Sequence, residues 1–149
     1  MLPAPRTGRS TLRVRWMPRG LSRRHEGMNS YMKHLRDHIC IVDAEARSAE
    51  YPDTFRIASR ATRERLRSGD FAKLIFELDE VGMEMAERMG EEHDGERMWV
   101  WVLEDYNGQC YLGTLDNRPS DMPLELGELI SFRPEHVCDI RWADEDERE

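Results

Sequence analysis

His34 and His38 are the first residues in the chain whose types and spacing could do chemistry. Four residues apart on a helix, two imidazoles share a face and can hold zinc or nickel, and Cys40 lies close by. Such a centre would support a metal-assisted hydrolase, with His93 or His136 as a further ligand. The glutamate of an HExxH helix is missing, however, and a polar helix face accounts for the same residues. His136 and Cys138 form a second pairing. They share a face only within a strand, and a nucleophilic thiol needs an electropositive setting. Glu135 and Asp139 make this neighbourhood acidic. His136 is therefore expected to close a tight turn by a hydrogen bond, and Cys138 to pack in the core. The sequence assigns no catalytic residue, no metal centre and no cofactor.

The stretch GERMWVWVLEDYNGQCYLGTLDNRP (95–119) offers binding chemistry instead. Asn107-Gly108 is a strong two-residue hairpin signal, because both residues accept positive φ. That turn pairs Tyr106 with Gln109, Leu103 with Leu112, Val102 with Gly113, Trp101 with Thr114, Val100 with Leu115 and Trp99 with Asp116. One face is aliphatic: Met98, Val100, Val102, Gly113 and Leu115. The other carries Trp99, Trp101, Leu103, Leu112, Thr114 and Asp116. Two readings of that face stay open. It is a second core roofed by a Val81/Met85/Met89 helix stripe through sulfur–aromatic contacts, or it leaves Trp101 exposed as an interface anchor. The following Asp116-Asn117-Arg118 either fixes its own turn through side-chain-to-backbone bonds or presents Arg118 beside Trp99 as a recognition patch. Trp99, Trp101, Asp116, Asn117 and Arg118 are the candidate binding residues.

These residues must be positioned by a chain of 149 residues, enough for one domain with a single core. FAKLIFEL (71–78) alternates as a strand that buries Ala72, Leu74, Phe76 and Leu78. Asp79 caps a short amphipathic helix inside a 79–96 insertion. Strands are expected at 97–104, 109–116, 128–132 and 137–142, with a 3₁₀-like turn at Pro134-Glu135-His136. Gly113 lets its strand bend opposite Val102. Ser59 caps a helix over 60–67. Residues 29–50 fit a helix, with Ile39–Val42 alternatively a strand, and Thr54–Ile57 reads as extended. The resulting fold class is α+β: a small, strongly bent antiparallel sheet or SH3-like barrel of about five strands, with short N-terminal helices and a helical insertion.

Charge divides the chain. Residues 1–27 carry seven arginines and one acid, a net +6, which leaves −14 on residues 28–149. The first segment reads as a disordered basic arm or as the product of a start assigned ahead of Met28. Residues 28–51 form an N-terminal helical segment, 52–142 the β-rich domain and 143–149 an acidic tail. An acidic body repels phosphate backbones, so nucleic-acid binding would fall to the arm. No apolar run approaches the ~20 residues of a membrane-spanning helix. Three widely spaced cysteines without a CxxC pair fit free thiols in the cytoplasm.

GDFAKLIFE, ERMWV, GTLDNRP and LELGELISFRPEHVCDI, in that order, resemble the YegJ-like family of domains of unknown function over residues 52–142. The 79–96 insertion lengthens the first connection, and Trp101 stands where a polar residue is expected. The resemblance implies a bacterial domain and a fold but no activity; the presence of some relatives beside toxin–immunity genes implies a binding role. The expected function is thus a non-enzymatic protein-binding module, in one version an immunity-type protein that neutralises a basic partner. The alternatives are the His34/His38 hydrolase and a nucleic-acid binder acting through the basic arm.

Overall fold

The computed structural model describes residues 34–120 and 122–144. The basic arm, Tyr31 with its neighbours, Asp121 and the acidic tail from 145 onward lie outside the described residues.

Six strands form one antiparallel, strongly curled half-barrel: β1 (Ile39–Ile41), β2 (Phe71–Leu78), β3 (Glu96–Asp105), β4 (Tyr111–Leu115), β5 (Leu129–Phe132) and β6 (Asp139–Arg141). The order is β1-β2-β3-β4-β5, with β6 also paired to β2. β2 is long enough to take two partners on one edge: β6 at residues 71–73 and β1 at residues 76–78. The expected small, bent α+β sheet is therefore present, with six strands instead of about five.

Alternation selects the inner face. Ala72, Leu74, Phe76 and Leu78 of β2 are buried as expected, facing Met98, Val100 and Val102 of β3, Tyr111 and Leu115 of β4, and Ile130 and Phe132 of β5. Each large apolar side chain so buried contributes about 1.5–3 kcal/mol. Gly113 permits the curl at a close approach: a Cβ there would lie 2.5 Å from the Trp101 carbonyl oxygen and 2.6 Å from a Val100 methyl.

The β3–β4 hairpin has the expected register over Val100↔Leu115, Trp101↔Thr114 and Val102↔Gly113. Nearer the tip the expected register is corrected. Glu104, not Leu103, opposes Leu112, and Asp105 opposes Tyr111. Leu103 is the extra residue of a β-bulge. At the turn, Tyr106 N–H donates to Cys110 and Gln109 N–H donates to Tyr106, so three residues connect the strands. Asn107 and Gly108 do take positive φ, 57° and 73°. The added loop residue, Gln109, and the added strand residue, Leu103, cancel, which restores the expected pairing beyond Val102.

The ambiguity at 29–50 resolves into both alternatives in sequence. A helical turn ends at residue 36, and Ile39–Ile41 then pairs with Leu78–Phe76 as β1. Three short helices follow: α1 (Ala44–Glu50), α2 (Arg60–Arg63) and α3 (Glu80–Arg88). Asp43, Ser59 and Asp79 cap them by accepting the N–H groups of Ala46, Thr62 and Gly82. α2 is half the expected length; of the expected extended stretch Thr54–Ile57, Thr54 belongs to a turn and residues 55–57 join no strand.

α3 does not roof the tryptophans. Its buried residues are Gly82 and Ala86; of the expected stripe, Met85 packs in part against the inner core, whereas Val81 and Met89 are 52% and 59% exposed. The small residues decide this. A Cβ on Gly82 would meet His38 Cβ at 2.8 Å and Leu78 Cβ at 3.1 Å, so the helix backbone sits close against the β1–β2 end of the sheet.

Two buried polar links complete the frame. Asp70 accepts the N–H groups of Arg67 and Ala143, pinning the segment just after β6 to the start of β2. Arg36 pairs with Glu128 at 2.8 Å, with both side chains 5% exposed or less, and the same carboxylate oxygen accepts the Glu125 N–H. Burial pulls the Arg36 pKa down and pushes that of Glu128 up, while each partner's charge opposes its shift.

Candidate functional site

The strand period that buries Met98, Val100 and Val102 turns Trp99, Trp101 and Leu103 outward. On the neighbouring strand, Lys73 lies opposite Trp99 and Phe71 opposite Trp101. On the other side Thr114 opposes Trp101, and Leu129 opposes Thr114. β6 adds Asp139 beside Lys73 and Arg141 beside Phe71. The outer face of the sheet is therefore aromatic and cationic at its centre, and Trp101 is 39% exposed there. With α3 docked elsewhere, the second-core reading of this face is overturned.

Cations rest on the rings. Lys73 Nζ lies 5.2 Å and the Arg141 guanidinium 5.5 Å from the Trp99 ring centroid. Arg97 and Arg47 lie 5.7 Å and 5.9 Å from that of Phe55. Each contact contributes about 0.5–1 kcal/mol at an exposed site. Arg47 also bonds Glu77. Among the described residues, no carboxylate is within ion-pair distance of Lys73, Arg97 or Arg141.

The loop after β4 is fastened to this face. Asp116 N–H donates to the Trp99 carbonyl at 2.8 Å, and Trp99 N–H donates to the Asn117 side-chain oxygen. Asn117 thus continues the β3–β4 ladder with a side chain. The Glu96 carboxylate accepts the N–H groups of Ser120 and Met122, holding the rest of the loop to the start of β3. Asp116 and Arg118 are exposed. Arg118 lines an open groove of about 540 Å³ with Pro119, Leu124, Glu125 and Leu126.

The histidines are dispersed. Because the helical turn ends at residue 36, His34 and His38 do not share a helix face; His34 is exposed, and His38 Nδ1 lies 3.1 Å from the Asp79 carboxylate. His93 is buried, 4.0 Å from Glu91. Among the described residues no three His, Cys, Asp or Glu side chains gather where they could hold one metal ion. His136 does close the 3₁₀ turn, accepting Arg133 N–H on Nδ1 at 2.9 Å, and burial pushes its pKa down to about 4. Cys138 is half-buried with its thiol against the Lys73 carbonyl. Burial pushes its pKa up to about 11, so it is a protonated packing group at neutral pH.

Fold and face together define a small α+β protein with an exposed aromatic–cationic sheet surface. No family model, curated protein or solved structure matches the chain.

Proposed function

We propose that this chain is a non-enzymatic protein-binding module that docks through the outer face of β2, β3 and β4, with Trp101 as its anchor. The supporting observation is the 39% exposure of Trp101 at the centre of a sheet face that α3 leaves uncovered. Tryptophan is enriched at binding hot spots because it supplies a large, rigid contact area. The tethered loop at Asp116, Asn117 and Arg118 forms one rim. The resemblance of residues 52–142 to the YegJ-like family points the same way, toward a bacterial binding domain.

An immunity-type role is the more specific version of this reading. The net −14 of residues 28–149 would speed the approach of a basic partner, and Glu91, Glu92 and Asp94 are exposed. Free thiols at Cys40, Cys110 and Cys138 suit a cytoplasmic setting, and no helix among the described residues is long and apolar enough to cross a membrane.

The experiment is site-specific photo-crosslinking in cells. A photoreactive amino acid replaces Trp101 in one variant and the exposed Arg88 of α3 in another. A discrete adduct from position 101 that is absent from position 88 is the expected result. Failure of position 101 to give one overturns the reading.

A further inference from the structure

We infer that the segment seated on this face is acidic: an extended stretch of a partner protein that presents carboxylates around an apolar side chain. The inference rests on the docking face proposed above and names the chemistry of its occupant. Net charge alone argues the opposite, a basic partner. The face differs from the rest of the molecule.

The chain has 30 acidic side chains against 22 Lys and Arg, so an exposed cation has carboxylates to choose from. Arg60 finds Glu64 and Glu45, and Arg88 finds Glu84. Lys73, Arg97 and Arg141 find none among the described residues and lie on Trp99 and Phe55 instead. Asp139 opposes Lys73 in register yet stays outside ion-pair distance. A ring holds a cation in place without using its hydrogen-bond donors, so these heads remain ready for carboxylates, bidentate in the case of arginine. Trp101 and Phe71, paired across β2 and β3, supply an apolar platform beside them, next to Arg141 and one row from Lys73. A partner strand laid over this face would meet apolar surface at Phe71 and Trp101, and positive charge from Lys73 and Arg141 on the β2–β6 side and from Arg97 farther along β3.

Single-stranded nucleic acid is the competing anion. Its phosphates would continue beyond the cationic strip onto a strongly acidic body. Its bases also need a run of open rings, whereas Trp99 already carries two cations.

The test uses three fluorescein-labelled probes, read by anisotropy at low and physiological salt. They are a twelve-residue glutamate peptide carrying two leucines, its lysine counterpart, and a twelve-nucleotide thymidine strand. The acidic peptide is expected to bind and the lysine peptide not. Its affinity is expected to fall at least about tenfold in Trp101→Ala and in the double variant Lys73→Glu/Arg141→Glu. Arg97→Gln/Arg141→Gln provides a milder pair, with circular dichroism confirming the fold. No binding of the acidic peptide, or affinity unchanged in both charge variants, overturns the inference. The docking face itself then stands or falls on the Trp101 adduct. Tighter binding of the thymidine strand than of the acidic peptide at equal salt overturns it in favour of nucleic acid.

Discussion

The side-chain oxygen of Asn117 accepts the backbone N–H of Trp99, so the loop after β4 is bonded to the strand that carries both outward indoles. Asn117→Ala leaves that N–H without its partner and is expected to cost about 1–2 kcal/mol. Asn117→Asp keeps the acceptor and should cost less. Urea unfolding measures the difference, and faster hydrogen exchange at the Trp99 amide in the alanine variant locates it.

Adjacent residues on β3 should behave oppositely. Val100 is fully buried and Trp101 is 39% exposed. Val100→Ala is expected to destabilise by about 2 kcal/mol. Trp101→Ala removes far more atoms, but 39% of that residue stays in water and its loss leaves an open notch instead of an enclosed cavity, so it should cost less per atom removed than Val100→Ala. An equal or greater loss per atom in chemical denaturation would mean that Trp101 supports the fold instead of offering a surface.

The Arg36–Glu128 pair predicts a non-additive pattern. Glu128→Ala removes the carboxylate that faces a buried guanidinium, and Arg36→Ala removes the cation that faces a buried carboxylate, so each is expected to cost about 3–5 kcal/mol. The double variant Arg36→Met/Glu128→Leu removes both charges and should be more stable than either single change. A double variant as unstable as the sum of the singles would show that the two groups do not act as a unit.

His136 gives a pH dependence. Its folded pKa is pushed down to about 4 by burial, against about 6.5 for an unfolded histidine. Between those values the unfolded chain holds more protons than the native one. Stability therefore falls as pH drops through this window, by up to about 3 kcal/mol at its lower end. His136→Gln cannot take the charge, and its stability profile should be flatter between pH 6.5 and 4. Parallel wild-type and variant profiles would remove His136 as the source.

The sequence made the central sheet legible because strands with one wet face write their burial as alternation. FAKLIFEL is β2 to the residue, and MWVWV placed every inward and outward side chain correctly. The caps at Ser59 and Asp79 were legible from local chemistry. The position of α3 was not, because its closest contacts are made by its smallest residues, while Val81, Met83 and Met89 face water and Met85 packs only in part against the core. The Arg36–Glu128 pair joins positions far apart in the chain, and no local signal marks either as buried. Among the site residues, Trp99, Trp101 and Asn117 were visible. Lys73, Arg141 and Phe55 were not, because their contacts with the rings exist only after β2 gains β6 and the 55–59 segment folds back. The outward set of β2, Phe71 and Lys73 included, was the one available hint.

The tip of the β3–β4 hairpin can change length without disturbing the ribbon below it. Tyr106 bonds Cys110 across the turn, so losing Gln109 would shorten the loop to Asn107-Gly108 while the bulge at Leu103 keeps Val102 opposite Gly113. Losing Thr114 has no such outlet: Leu115 would move opposite Trp101 and swap the inner face for the outer one. Insertions and deletions are therefore expected to be absorbed above position 103 and not below it.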